Sequence, residues 1–80
     1  MLIVRYFAGA RAAAGVNEEP VPPGHTLDSL AEELAGRHGE RLRGVLTVAS
    51  FLVDGLTWHD RQAPLPAAAT VDILPPFAGG

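Results

Sequence analysis

Leu2-Ile3-Val4-Arg5-Tyr6-Phe7-Ala8 opens the chain with β-branched and aromatic residues alternating around one charge. A β-strand sends successive side chains to opposite faces, so Leu2, Val4 and Tyr6 share one face and Ile3, Arg5 and Phe7 the other. Arg5 settles the parity. The face with Leu2, Val4 and Tyr6 goes to the core, and a single helix on that side leaves the apolar Ile3 and Phe7 uncovered beside Arg5. The pattern returns near the end in Val71-Asp72-Ile73-Leu74. There Val71 and Ile73 point inward and Asp72 and Leu74 outward, and Pro75-Pro76 end the ladder because proline has no N–H to donate.

Between these two runs the punctuation is clear in most places. Ala10-Arg11-Ala12-Ala13-Ala14, between Gly9 and Gly15, predicts a short helix closed by Gly15. Glu18 to Val21 predicts a second strand, turned by Pro22-Pro23-Gly24. Thr26 is the predicted N-cap of the main helix, with Asp28 in its first turn and Leu27, Leu30, Ala31, Leu34 and His38 along one stripe. Gly36 and Gly39 are both candidate stops. Glu40 to Thr47 shows no clear period and reads as loop. Ser50-Phe51-Leu52-Val53, Asp54-Gly55 and Leu56-Thr57-Trp58 spell a hairpin, because Asp-Gly supplies positive φ angles. A connection through Ala63-Pro64-Leu65-Pro66 and Ala67-Ala68-Ala69 leads to the last strand.

This order describes an α+β roll with one main helix on one face of a mixed sheet, of which the β-grasp is the simplest. In that fold the first and last strands lie side by side in the middle. The expectation is a β-grasp domain over residues 1–76 and a flexible Gly-Gly tail over 77–80.

Composition narrows the function. Eighty residues leave room for one domain, and 48% hydrophobic content with a net charge of −3 is the balance of a folding chain rather than a disordered one. There is no Cys, which excludes disulfides, thiolate metal sites and a cysteine nucleophile. All six basic residues are Arg, so a Walker phosphate loop, Schiff-base catalysis and Ser-Lys hydrolysis are excluded as well. The arginines are scattered against nine Asp and Glu, which argues against nucleic acid. No apolar run approaches a membrane span, so the expected location is the cytoplasm.

His25, His38 and His59 match no zinc-ligand spacing, and neither Ser29 nor Ser50 sits in a nucleophile elbow. The pairs Glu18-Glu19 and Glu32-Glu33 read as solvated surface, since neighbours in a strand or helix diverge. Gly9 to Gly15 lacks a phosphate-loop pattern and reads as a strand end and helix stop. No catalytic residue, metal ligand or cofactor site is expected. What remains is Pro75-Pro76-Phe77-Ala78-Gly79-Gly80. Two stiff prolines, an aromatic anchor and two residues without side chains are suited to carrying Gly80 through a narrow channel into another protein's active site. Ile3, Phe7 and Leu74, leading to Pro75 and Pro76, are the candidate partner-binding residues.

Val4-Arg5-Tyr6-Phe7-Ala8 with Arg11 and Gly15, Val53-Asp54-Gly55, and Ile73-Leu74-Pro75-Pro76-Phe77-Ala78-Gly79-Gly80 together resemble the small, sulfur-carrying subunits of molybdopterin synthase, a ubiquitin-like family. The resemblance spans the chain. It departs from the family's pattern at Ala67-Ala68-Ala69-Thr70, where an Asp-Gly-Asp-like turn is usual, and at Asp54-Gly55, where Asn-Gly is common. The resemblance implies that an E1-like enzyme adenylates Gly80, that a sulfur donor protein converts the adenylate to a thiocarboxylate, and that the large synthase subunit receives the sulfur within a heterotetramer. A carrier for cysteine, thiamine or tRNA thiolation, a protein modifier joined through Gly80, and an interaction module with an inert terminus are the alternatives.

Overall fold

The computed structural model of the chain describes residues 1–76, and the predicted tail residues Phe77, Ala78, Gly79 and Gly80 lie outside the described residues. Strand β1 (Leu2–Tyr6) buries Leu2, Val4 and Tyr6 and exposes Arg5, as its parity predicts. The extended Phe7 then caps helix α1 (Ala8–Ala14), its carbonyl accepting the N–H of Ala10 at 3.0 Å. The helix therefore starts two residues before the predicted Ala10, and Ala8 makes the corner with φ +48°. Gly15, at φ +79°, closes it by donating its N–H to the Arg11 carbonyl at 2.9 Å, the left-handed C-cap that glycine adopts without strain. Strand β2 (Glu18–Val21) returns antiparallel to β1 with Val21 opposite Leu2.

Helix α2 (Leu27–His38) starts where Thr26 predicts. The Ser29 N–H donates to the Thr26 hydroxyl at 3.1 Å, and the Thr26 N–H donates to the Ser29 hydroxyl at 2.9 Å. This reciprocal cap satisfies donors that the first turn leaves without partners. Leu27, Leu30 and Leu34 are fully buried, each contributing about 1.5–3 kcal/mol by removal from water. Gly39, at φ +103°, ends the helix, while Gly36 lies within it.

The expected loop from Glu40 to Thr47 is instead helix α3 (Glu40–Val48). Leu42 and Leu46 are buried and Val45 half-buried, an apolar stripe at i, i+3 and i+4. Gly44 in its interior and the β-branched Val45, Thr47 and Val48 weaken the local preference for helix. Packing supplies what propensity does not. On its outer side Arg43 reaches across to Glu32 of α2 at 2.6 Å and to Glu40 at 3.1 Å.

Strands β3 (Ser50–Val53) and β4 (Leu56–Thr57) form the expected hairpin, with Asp54 at φ +50° and Gly55 at φ +82°. Both turn residues are left-handed, as a type I′ turn requires. Strand β5 (Thr70–Leu74) begins one residue before the predicted Val71. The sheet order is β2-β1-β5-β3-β4, with β1 and β5 parallel at its centre and the other pairs antiparallel. Buried residues of all three helices join one cluster with Leu2, Val4, Tyr6, Val71 and Ile73. One face of the sheet is thus covered by the expected main helix, with the expected short helix α1 and the unexpected α3 beside it. No helix among the described residues is long and apolar enough to cross a membrane.

Candidate docking face and polar cluster

The opposite face of the sheet carries Ile3, Arg5 and Phe7 from β1 and its end, Thr70, Asp72 and Leu74 from β5, and Leu52 from β3. The parallel register sets Ile3 beside Thr70 and Arg5 beside Asp72. One step beyond Tyr6 and Ile73 it brings Phe7 next to Leu74, where the Phe7 N–H donates to the Ile73 carbonyl at 3.1 Å. Phe7 is 38% exposed, and Ile3, Leu52, Leu74 and Pro75 are half-buried with Pro76 exposed. Phe7, Leu74, Pro75 and Pro76 therefore lie together at the end of the sheet from which the chain leaves. Ile3 does not join them, because Arg5 and Asp72 stand between. Phe77, Ala78, Gly79 and Gly80, the other predicted tail and carrier residues, lie outside the described residues.

Asp72 points outward as predicted, yet its side chain is only 10% exposed against 47% for Arg5. Its two oxygens accept from Arg5 Nε at 2.6 Å and from Nη2 at 2.9 Å, and the guanidinium lies 5.8 Å from the centre of the Phe7 ring. Sequence reasoning missed this pair as a unit. Its signal was there: opposite charges on the outer faces of two strands expected to be neighbours.

A second polar cluster lies at the β2 edge on the helical side of the sheet, and it corrects the reading of Glu19 as solvated surface. Glu19 accepts from the Tyr6 hydroxyl at 2.5 Å, from Arg37 Nη1 at 3.0 Å and from His38 Nε2 at 2.5 Å. Its side chain is 14% exposed. Burial alone raises a carboxyl group's pKa, but the bonds from Tyr6, His38 and Arg37 outweigh it and hold Glu19 below the usual carboxylate range. Burial, then the bond to Glu19, pushes the Tyr6 hydroxyl well above the ordinary phenol value. Parity was the missed signal: Val21 faces the core, so Glu19, two residues before it, faces the same side.

No group of His, Asp and Glu among the described residues could hold a metal ion. Two open grooves, of about 190 and 200 Å³, fall short of the roughly 300–1,000 Å³ of small-molecule sites. The first is lined by Arg43, Arg61, Glu32 and Asp28, whose charges are paired with one another.

A mixed sheet with parallel first and last strands at its centre, helices on one face and a terminal segment leaving beside the bare face defines a β-grasp protein of the ubiquitin-like class. The chain belongs to the ThiS family, whose model matches residues 4–80. It is a small ubiquitin-like protein of the sulfur-carrier type. Among solved structures it is similar to a Pyrococcus furiosus protein assigned as molybdopterin converting factor, subunit 1, with 26% identity, TM-score 0.71, and coverage of 95% of this chain and 97% of that one. A Helicobacter pylori complex of subunits 1 and 2 of molybdopterin-converting factor contains a chain 22% identical, with TM-score 0.70 and coverage of 99% and 97%. The small archaeal modifier protein 1 of Methanosarcina acetivorans shares the fold at 20% identity, with TM-score 0.76 and coverage of 99% and 95%. No curated protein sequence matches the chain.

Proposed function

We propose that this chain is the sulfur carrier of molybdopterin synthesis, the small subunit of molybdopterin synthase, with Gly80 as the residue that bears the sulfur. The observation that carries the reading is the placement of β5. It runs up the middle of the sheet beside β1 and ends next to exposed Phe7, and Pro75-Pro76-Phe77-Ala78-Gly79-Gly80 follows. The likeness to a subunit 1 of molybdopterin converting factor supports the choice of pathway.

In this cycle an E1-like enzyme joins the Gly80 carboxylate to the α-phosphate of ATP, and pyrophosphate leaves. A sulfide equivalent from a sulfur donor protein attacks the acyl carbon and AMP departs, giving the thiocarboxylate. On the large synthase subunit the sulfur passes to the pyranopterin precursor, and water restores the carboxylate. The chemistry needs activation because a terminal carboxylate, with a reference pKa of about 3.5, is ionised at neutral pH and resists thiolation. Catalysis and ATP binding belong to the partners, and the chain works in the cytoplasm where ATP is available.

The test is incubation with activating enzyme, ATP and a sulfur source, read by mass spectrometry. Thiolation raises the mass by about 16 Da, the exchange of one oxygen for a sulfur that can act as a nucleophile. Deleting Gly80 removes the gain without moving the melting temperature, and Gly79→Val nearly removes it by bulk. A wild-type chain that stays unthiolated, or a Gly80-deleted chain that loads, overturns the proposal. The likeness to a small archaeal modifier protein favours conjugation as the second reading. Heavier conjugates in cell extract, without molybdopterin synthesis, decide for it.

A further inference from the structure

Arg5 sits in the middle of the bare face with three of its five N–H donors unused among the described residues. A guanidinium has five N–H donors in a fixed plane. Two of its nitrogens, Nε and Nη2, are committed to Asp72, and Nη1 has no partner among the described residues. Asp72 is itself held by the ladders of β5 to β1 and β3, so the two parallel bonds fix the plane of the fork. The remaining donors face solvent on a side chain 47% exposed, between half-buried Ile3 and the ring of Phe7.

A partner that covers Phe7 and Leu74 also strips water from Arg5. Donors of a charged group left unpaired in a contact weaken binding severely, so the partner must supply an acceptor. Charge decides which kind. Asp72 already neutralises Arg5, and Glu18 stands opposite Arg5 on β2. A partner carboxylate would leave two net negative charges in a desolvated contact, whereas a neutral carbonyl oxygen leaves one.

On the reading that the chain is a sulfur carrier, we propose that the Arg5–Asp72 pair determines docking specificity. It selects an apolar partner surface that presents a backbone or amide carbonyl oxygen at its centre. Phe7 and Leu74 supply contact area, and the fork supplies register and rejects surfaces that lack the oxygen.

Binding to the activating enzyme and to the large synthase subunit, measured by calorimetry with wild type, Arg5→Lys and the pair Arg5→Met/Asp72→Asn, tests this. The double variant removes the guanidinium and its fixed fork without stranding a buried carboxylate, so it should stay folded, with circular dichroism and melting close to wild type. Its affinity should fall about tenfold or more. Arg5→Lys, a point charge that cannot hold Asp72 and reach outward in one plane, should fall nearly as far. The ratio of wild-type to double-variant affinity should be unchanged by salt, because the partner's acceptor is neutral and the double variant keeps the net charge. A folded double variant that binds as wild type, full rescue by Lys, or a ratio that collapses in high salt each overturns the inference. A wild-type chain that binds neither partner overturns the carrier reading, and this inference with it.

Discussion

Removing the Glu19 carboxylate should be among the most destabilising surface-directed changes in the chain. Glu19→Ala deletes the acceptor for Tyr6, Arg37 and His38 at once. Tyr6 is 2% exposed, and leaving its hydroxyl unpaired costs about 1–3 kcal/mol. Arg37, with a side chain 32% exposed, keeps Glu33 as partner and adds no more than about 1 kcal/mol. The sum is about 1–4 kcal/mol, and at roughly 4–8 °C per kcal/mol for a domain of this size the melting midpoint falls by about 4 °C at the least and about 30 °C at the most. The loss should be felt at the edge strand β2, which Glu19 ties to α2.

Thermal and urea unfolding of wild type, Glu19→Ala, Tyr6→Phe and Tyr6→Phe/Glu19→Leu measures it. The double change should cost less than Tyr6→Phe and Glu19→Ala added together, since the buried Tyr6 hydroxyl that Glu19→Ala strands is then gone. The pH dependence has a fixed sign. A carboxyl held below its unfolded value, about 4.3, contributes stability above that value and loses it as pH falls through the folded one. The gap between wild type and Glu19→Ala should therefore narrow as pH falls below about pH 4. A variant melting within about 2 °C of wild type, or a gap indifferent to acid, would show that the cluster is not a source of stability.

Ala8 is a non-glycine residue at φ +48°, so Ala8→Gly should raise stability by about 0.5–1 kcal/mol, seen as a higher urea midpoint with unchanged slope. Gly39→Ala meets no atom within 4 Å, but at φ +103° the strain alone should cost about 1–3 kcal/mol in the same assay. Phe7→Ala and Leu74→Ala should each weaken binding to activating enzyme and large subunit about tenfold or more while the fold survives. Unfolding of Phe7→Ala in circular dichroism would instead make Phe7 a core residue.

What the sequence disclosed follows the strength of its local signals. Strand β2 and the Asp54-Gly55 hairpin are legible because proline and paired positive φ angles admit few alternatives. The parity of β1 and β5 is legible because each carries one charge among apolar residues. Helix α3 was hidden by Gly44, three β-branched residues and the absence of a side-chain cap, so its stripe of Leu42, Val45 and Leu46 went unread. The roles of Glu19 and Asp72 depend on pairing across strands, which no window along the chain displays. The candidate docking face was half legible: Phe7 and Leu74 follow from parity, whereas the Arg5–Asp72 division of that face follows only from the parallel register of β1 and β5.

That register also explains why the two faces have such different work. Three helices over one face bury the inner side chains of β1, β2, β3 and β5 in a single core, and the other face keeps Phe7 exposed. A parallel β1–β5 pair requires the chain to cross the core layer between them, which places the end of β5 at the same edge as the end of β1. Phe7, the first residue after β1, and Pro75, the first after β5, are therefore neighbours by topology rather than by chance. On the proposed docking, a partner that grips Phe7 also lies against Pro75 and Pro76. On the proposed function, stability and docking should respond to separate substitutions, Glu19 for the one and Phe7 for the other.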